Sequence, residues 1–101
     1  MDERFHTGEI LVESRTYTLV EVSAICGVQV TFLCALVSFG ILDPTGATHD
    51  AWQFSESGLQ RAKLAFRLHR DLGLDDQGLA LSLDLLDEIK RLRQQIDRLG
   101  G

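Results

Sequence analysis

The chain has 101 residues, enough for one small domain, with 45% hydrophobic residues and a net charge of −5. An acidic balance of this kind excludes a chain that works as a general phosphate binder, because affinity for nucleic acid is dominated by neutralising phosphates with Lys and Arg. Two cysteines and three scattered histidines, none paired at zinc-finger spacing, give no structural metal site, and no cofactor is expected.

The distribution of charge says more than its sum. Residues 1 to 60 carry eight acids and two bases, a balance of −6, and positions 16 to 60 hold no Lys or Arg. Residues 61 to 101 carry eight bases and seven acids, a balance of +1.

The start, MDERFHTGE, is polar and acidic, and residues 1 to 8 are expected to be flexible. It lacks the basic region that precedes the apolar run of a signal peptide, so a cytoplasmic chain is expected. Glu9 to Thr18, EILVESRTYT, alternates weakly and reads as a strand.

Val22 to Leu42 carries no charge. Its length is that of a membrane span, which needs about 20 apolar residues. Its flanks, Glu21 and Asp43, are acidic, and no Lys or Arg stands nearby to anchor a span. Two short helices broken at Gly27 fit better. Thr18 caps the first, with Leu19, Val22 and Ile25 at helical spacing, and Gly27 supplies the left-handed turn. VQVTFLCALVSFG makes the second, with Gly40 past its end and Pro44 soon after. Helix, glycine turn, helix is the helix-turn-helix arrangement, whose second helix reads bases with polar or basic side chains. Here that helix has Gln29, Thr31 and Ser38 and no cation, so nucleic acid is an improbable partner. Cys26 and Cys34 read as small buried hydrophobes.

LDPTGATHDAWQF follows, rich in turn residues, with Ala51 to Phe54 read as a short strand completing a wing. Residues 18 to 54 thus form the helix-turn-helix and wing. Trp52 and Phe54 alternate with Gln53 and share a face if extended. Such aromatics are usually core, although Trp is also enriched at binding hot spots.

A third helix spans residues 55 to 73, capped by Ser55 and ended by Gly73. Leu59, Ala62, Phe66 and His69 lie on one face, and Arg61, Lys63, Arg67 and Arg70 on the remaining surface. His69 reads as a packed core histidine, and the bases as a solvated face.

The last helix covers residues 75 to 99, capped by Asp75 or Asp76. Leu79, Leu83 and Leu86 form one stripe. Leu85, Ile89, Leu92, Ile96 and Leu99, spaced four, three, four and three, form a coiled-coil seam. Asp87 stands four before Arg91, and Arg93 four before Asp97, as intrahelical pairs. The first half is acidic and the second basic, so two such helices laid antiparallel match, and a homodimer is expected. No Ser–His–acid motif or Gly-rich phosphate loop is present, which argues against an enzyme.

Three groups of residues carry a family resemblance: WQF at Trp52 to Phe54; RLHRDLGLD followed by Gly78 and Ala80; and LDLLDEIKRLR. With the cation-free helix-turn-helix before them, they make residues 10 to 99 resemble the chaperone modulatory protein CbpM family of the MerR-like superfamily. The implied fold is mainly α: a MerR-like winged helix-turn-helix with a small strand and wing hairpin and a C-terminal coiled-coil-type helix. The implied function is a small bacterial protein, not an enzyme. It would bind the J-domain of a DnaJ-like co-chaperone, CbpA, and inhibit it by competing for the basic helix that engages Hsp70. The N-terminus is longer than the family leads one to expect. The alternative is a MerR-type transcriptional regulator using the basic helix Arg61 to Arg70. The resemblance assigns no contact residues. From charge, the expected partner-binding residues are the acids near the wing and the start of the last helix, Asp50, Asp75, Asp76 and Asp84, with Trp52 as an anchor.

Overall fold

The computed structural model describes residues 15–100. Thr16–Tyr17 forms β1, Leu19–Cys26 forms α1, Val30–Ser38 forms α2, Phe54–Ser55 forms β2, Glu56–Leu72 forms α3 and Asp76–Gly100 forms α4. The fold is mainly helical, with one two-stranded antiparallel sheet pairing Thr16 with Ser55 and Tyr17 with Phe54. The strand expected over Glu9 to Thr18 is therefore seen only at Thr16–Tyr17, and residues 9 to 14 lie outside the described residues, as do residues 1 to 8.

Local chemistry sets the helix limits. Thr18 accepts from the Glu21 amide at 3.1 Å, and the Glu21 carboxylate accepts from the Thr18 amide at 2.8 Å, a reciprocal capping box. Gly27, with φ of 70°, takes the left-handed conformation that ends α1. Ser23 Oγ donates to the Val28 carbonyl at 2.5 Å and ties the turn across. The chain then bends, so α1 and α2 meet at 114°. No single helix among the described residues is long and apolar enough to cross a membrane.

Between α2 and β2 the wing departs from the expected strand over Ala51 to Phe54. His49–Ala51 instead makes a single 3-10 turn, and the strand is shifted to Phe54–Ser55. The reason is Gly46, at φ of 109°, which lets the loop fold back until Thr45 pairs with Gln53.

Thirteen buried apolar side chains form the core, drawn from every helix. Leu33 and Leu36 from α2 meet Leu59, Ala62 and Ala65 from α3, with Phe54, Ile41 and Leu42 from the connecting segment and Leu79 and Leu83 from α4. The uncharged stretch is only partly inside. Val22, Leu33, Leu36, Ile41 and Leu42 are buried, but Ile25, Val30 and Phe39 are exposed. Cys26 and Cys34 are half-buried free thiols, and burial pushes the Cys26 thiol up from its ordinary value.

Candidate functional site

α4 is held to the body by its first two turns. Asp75 caps it, accepting from the Gly78 amide at 2.9 Å. Leu79 and Leu83 then enter the core. From Asp84 to Gly100 every residue is exposed, so the rest of this helix, about 37 Å long in all at 1.5 Å per residue, carries its side chains in solvent.

Arg61 sets the angle at which α4 leaves. Its Nε donates to the Ile41 carbonyl at 2.7 Å, and its Nη1 lies 3.1 Å from the Asp87 carboxylate. One guanidinium thus ties α3 to the exit of α2 and to α4, and lines a groove of about 580 Å³ together with the apolar Ile41, Leu42, Leu64 and Leu86. This corrects two expectations. Asp87 pairs with Arg61 and not with Arg91, because the tertiary partner offers a fork already fixed by Ile41. Arg91 turns back to Glu88, whose carboxyl it holds below the usual range by hydrogen bonding. Leu86 is more exposed than its stripe-mates Leu79 and Leu83.

His69 is not a core histidine. It is exposed, with its ring 5.4 Å from that of Phe32 and its Nδ1 2.8 Å from the Leu74 carbonyl, so it braces the turn between α3 and α4. Phe66 is half-buried against Phe32 and lies under the Arg70 guanidinium, while Ala65 takes the buried position on α3.

The expected partner-binding residues fall into two places. Asp50 is exposed in the wing, and Trp52 beside it is half-buried, 4.4 Å from the His49 ring and edge-on to Phe54 at 6.1 Å. Asp75 and Asp76 stand at the turn into α4, and Asp84 is exposed two turns further on. No hydrogen bond or ion pair joins the wing group to the α4 group among the described residues. Asp75 is occupied as a cap.

The seam residues Leu85, Ile89, Leu92, Ile96 and Leu99 are all exposed. At 100° per residue they point away from the face that buries Leu79 and Leu83, so the body of the chain cannot cover them. Leu81, 61% exposed, extends this outward stripe a turn earlier than its 4-3-4-3 spacing shows, and Leu72 at the end of α3 is also bare.

The surface of α2 presents Gln29, Val30, Thr31, Ser38 and Phe39 to solvent, without a charge among them. Of the four bases on α3, Arg61 is engaged as described and Arg70 is held by Asp71 at 2.8 Å. Among the described residues, no group of three or more His, Cys, Asp or Glu side chains is placed to hold a metal ion.

The model of the MerR HTH family regulatory proteins matches residues 17–100. The chaperone modulatory protein CbpM of Coxiella burnetii is 30% identical over 96 residues, covering 95% of this chain and 91% of the relative. CbpM of Pseudomonas putida is 35% identical over 75 residues, covering 74% and 68%, and that of Pseudomonas entomophila 35% identical over 68 residues, covering 67% of each. These names describe a modulator and a regulator, which are non-enzymatic kinds of protein. A helix-turn-helix without cations, the matched family and relatives aligned over two thirds or more of the chain agree: the chain belongs to the chaperone modulatory protein CbpM family, within the MerR-like helix-turn-helix superfamily.

Proposed function

We propose that this chain is a non-enzymatic, cytoplasmic chaperone modulator that binds the J-domain of a DnaJ- or CbpA-like co-chaperone and inhibits its engagement of Hsp70. The observation that carries the reading is the cation-free helix-turn-helix. Its exposed α2 surface is uncharged, and the first 60 residues carry −6, so phosphate is repelled. The same field attracts a basic protein surface, steering association and suppressing wrong partners. Asp50, Trp52, Asp75, Asp76 and Asp84 are the residues proposed to meet it. The outward seam of α4, Leu85 to Leu99, is proposed to pair two copies of the chain antiparallel, acidic half against basic half.

The test is calorimetric titration of the full chain with a purified J-domain at low and at moderate salt, alongside J-stimulated Hsp70 ATPase assays. Saturable binding that weakens with salt, with loss of ATPase stimulation, supports the reading. An absence of binding at low salt overturns it. Sequence-selective gel-shift binding of a DNA duplex would instead favour a transcriptional regulator, for which the structure leaves Lys63 and Arg67 of α3 as exposed bases outside those two contacts.

A further inference from the structure

Thr16 pairs with Ser55, so β1 enters the fold beside the first turn of α3. Traced backwards from Thr16, the antiparallel register carries the chain past Ser55 towards Ser57 and Gly58. Those three residues line the groove of about 580 Å³ that Arg61 shares with Leu42, Leu64 and Leu86. From Ser55 to Leu64 the α3 side of the groove is about 14 Å long at 1.5 Å per residue. Its charges balance, Arg61 and Lys90 against Asp43 and Asp87, so its field selects neither a basic nor an acidic ligand. What it offers is apolar surface: Leu86, on the α4 side, is 41% exposed. Ser57 and Gln60 on the α3 side bring polar groups able to meet the backbone of an extended chain.

We propose that residues 9–14 of this same chain, EILVES, occupy the groove as a strap laid over α3 and against α4. The segment places Ile10, Leu11 and Val12 together. Extended, it spans about 17 Å, close to the length of the groove. Ile10 and Val12, which share a side of an extended strand, meet Leu42, Leu64 and Leu86. Tethering decides the occupant. The Thr16–Ser55 pair holds the end of the segment beside the groove. So short a tether gives it an effective concentration of about millimolar, above that of a free partner. The strap covers the Arg61–Asp87 pair and so couples the N-terminal segment to the angle at which α4 leaves the body. This role is independent of which partner the chain modulates.

Methyl NMR of the full chain, labelled at Ile, Leu and Val, tests this. Cross-peaks are expected from Ile10 and Val12 to Leu64 or Leu86. The amides of residues 10 to 12 should exchange roughly tenfold or more slower than in an unstructured peptide of that sequence. Ile10→Ser with Val12→Ser should move the Leu64 and Leu86 methyl signals, leave those of buried Leu33 in place and abolish the slow exchange. Leu86→Gln, at an exposed position, should release the same amides from the other side of the contact. Circular dichroism checks both folds. Absence of the cross-peaks in the wild-type chain overturns the strap, as do unmoved Leu64 and Leu86 signals in the double variant. Isotope-filtered spectra of mixed labelled and unlabelled chains separate a second copy. Cross-peaks that arise only between copies overturn the assignment to the same chain.

Discussion

The Arg61 guanidinium lies 3.1 Å from the Asp87 carboxylate, twenty-six residues away, and this pair joins α3 to α4. Because the same guanidinium donates to the Ile41 carbonyl, its loss frees two acceptors at once. Arg61→Ala should cost about 1–3 kcal/mol, as removal of one partner of part-buried hydrogen bonds does. Asp87→Ala should cost less, since the Ile41 carbonyl keeps its donor. Urea denaturation of both variants measures the difference, and equal costs would contradict the shared role.

Gly46 sits at φ of 109°, where a Cβ would collide with the Ala51 carbonyl oxygen. Gly46→Ala should destabilise the wing by on the order of 1–3 kcal/mol, the cost of such backbone strain. The Trp52 fluorescence spectrum, sensitive to its contacts with His49 and Phe54, should shift in the folded variant.

The Tyr17 hydroxyl donates to Glu56 Oε1 at 2.6 Å. That bond lowers the Glu56 carboxyl below its ordinary range and raises the Tyr17 phenol above its own. A lowered carboxyl contributes stability that is full above the unfolded value, about 4.3, and is lost as pH falls through the folded value beneath it. A raised phenol contributes stability that is full below its unfolded value, about 10, and is lost as pH rises through the folded value above it. Tyr17→Phe should flatten both limbs, and thermal melts across pH 2–11 (a window of about that width) would show it. An unchanged acid limb would remove Tyr17 from the account.

Leu92 is the middle residue of the outward seam. Leu92→Lys should abolish self-association while leaving the fold intact, because the residue is exposed in the single chain. Sedimentation equilibrium reads the mass. An unaltered mass would rule out a seam-mediated dimer.

Asp75 combines a charge with a cap. Asp75→Ser keeps a side-chain acceptor for the Gly78 amide, whereas Asp75→Ala loses it at about 0.5–2 kcal/mol. If only charge matters for J-domain binding, the two variants should bind equally and melt differently. Different affinities at equal fold would show that the cap geometry itself is read.

What was legible in the sequence is what neighbours decide. Thr18, Gly27, Ser55 and Gly73 mark helix limits because capping and left-handed turns need only a few consecutive residues. The cation-free run over 16 to 60 told against DNA for the same reason: charge is countable. What was not legible depends on contacts across the chain. Asp87 has an equally good local partner in Arg91, and nothing in the spacing shows that Arg61 wins. His69 shares the apolar face of α3 by period, yet that face outlasts the core and leaves the ring at the surface. Leu81 falls outside the 4-3-4-3 repeat, so its place on the outward stripe emerges only when Leu79 and Leu83 fix the rotation of α4.

Seventeen consecutive residues of α4, Asp84 to Gly100, are exposed, with Asp87 alone tied back to Arg61 among the described ion pairs. A helix of that length is marginal in water on its own, and here it propagates from a nucleus clamped in the core at Leu79 and Leu83. Its amide protons should therefore exchange with solvent progressively faster toward the C-terminal end in the lone chain, following fraying from the tip. Whatever covers the outward face must slow that exchange first where it touches. The overhanging helix is thus its own footprinting ruler, on which the extent of a bound partner can be read amide by amide.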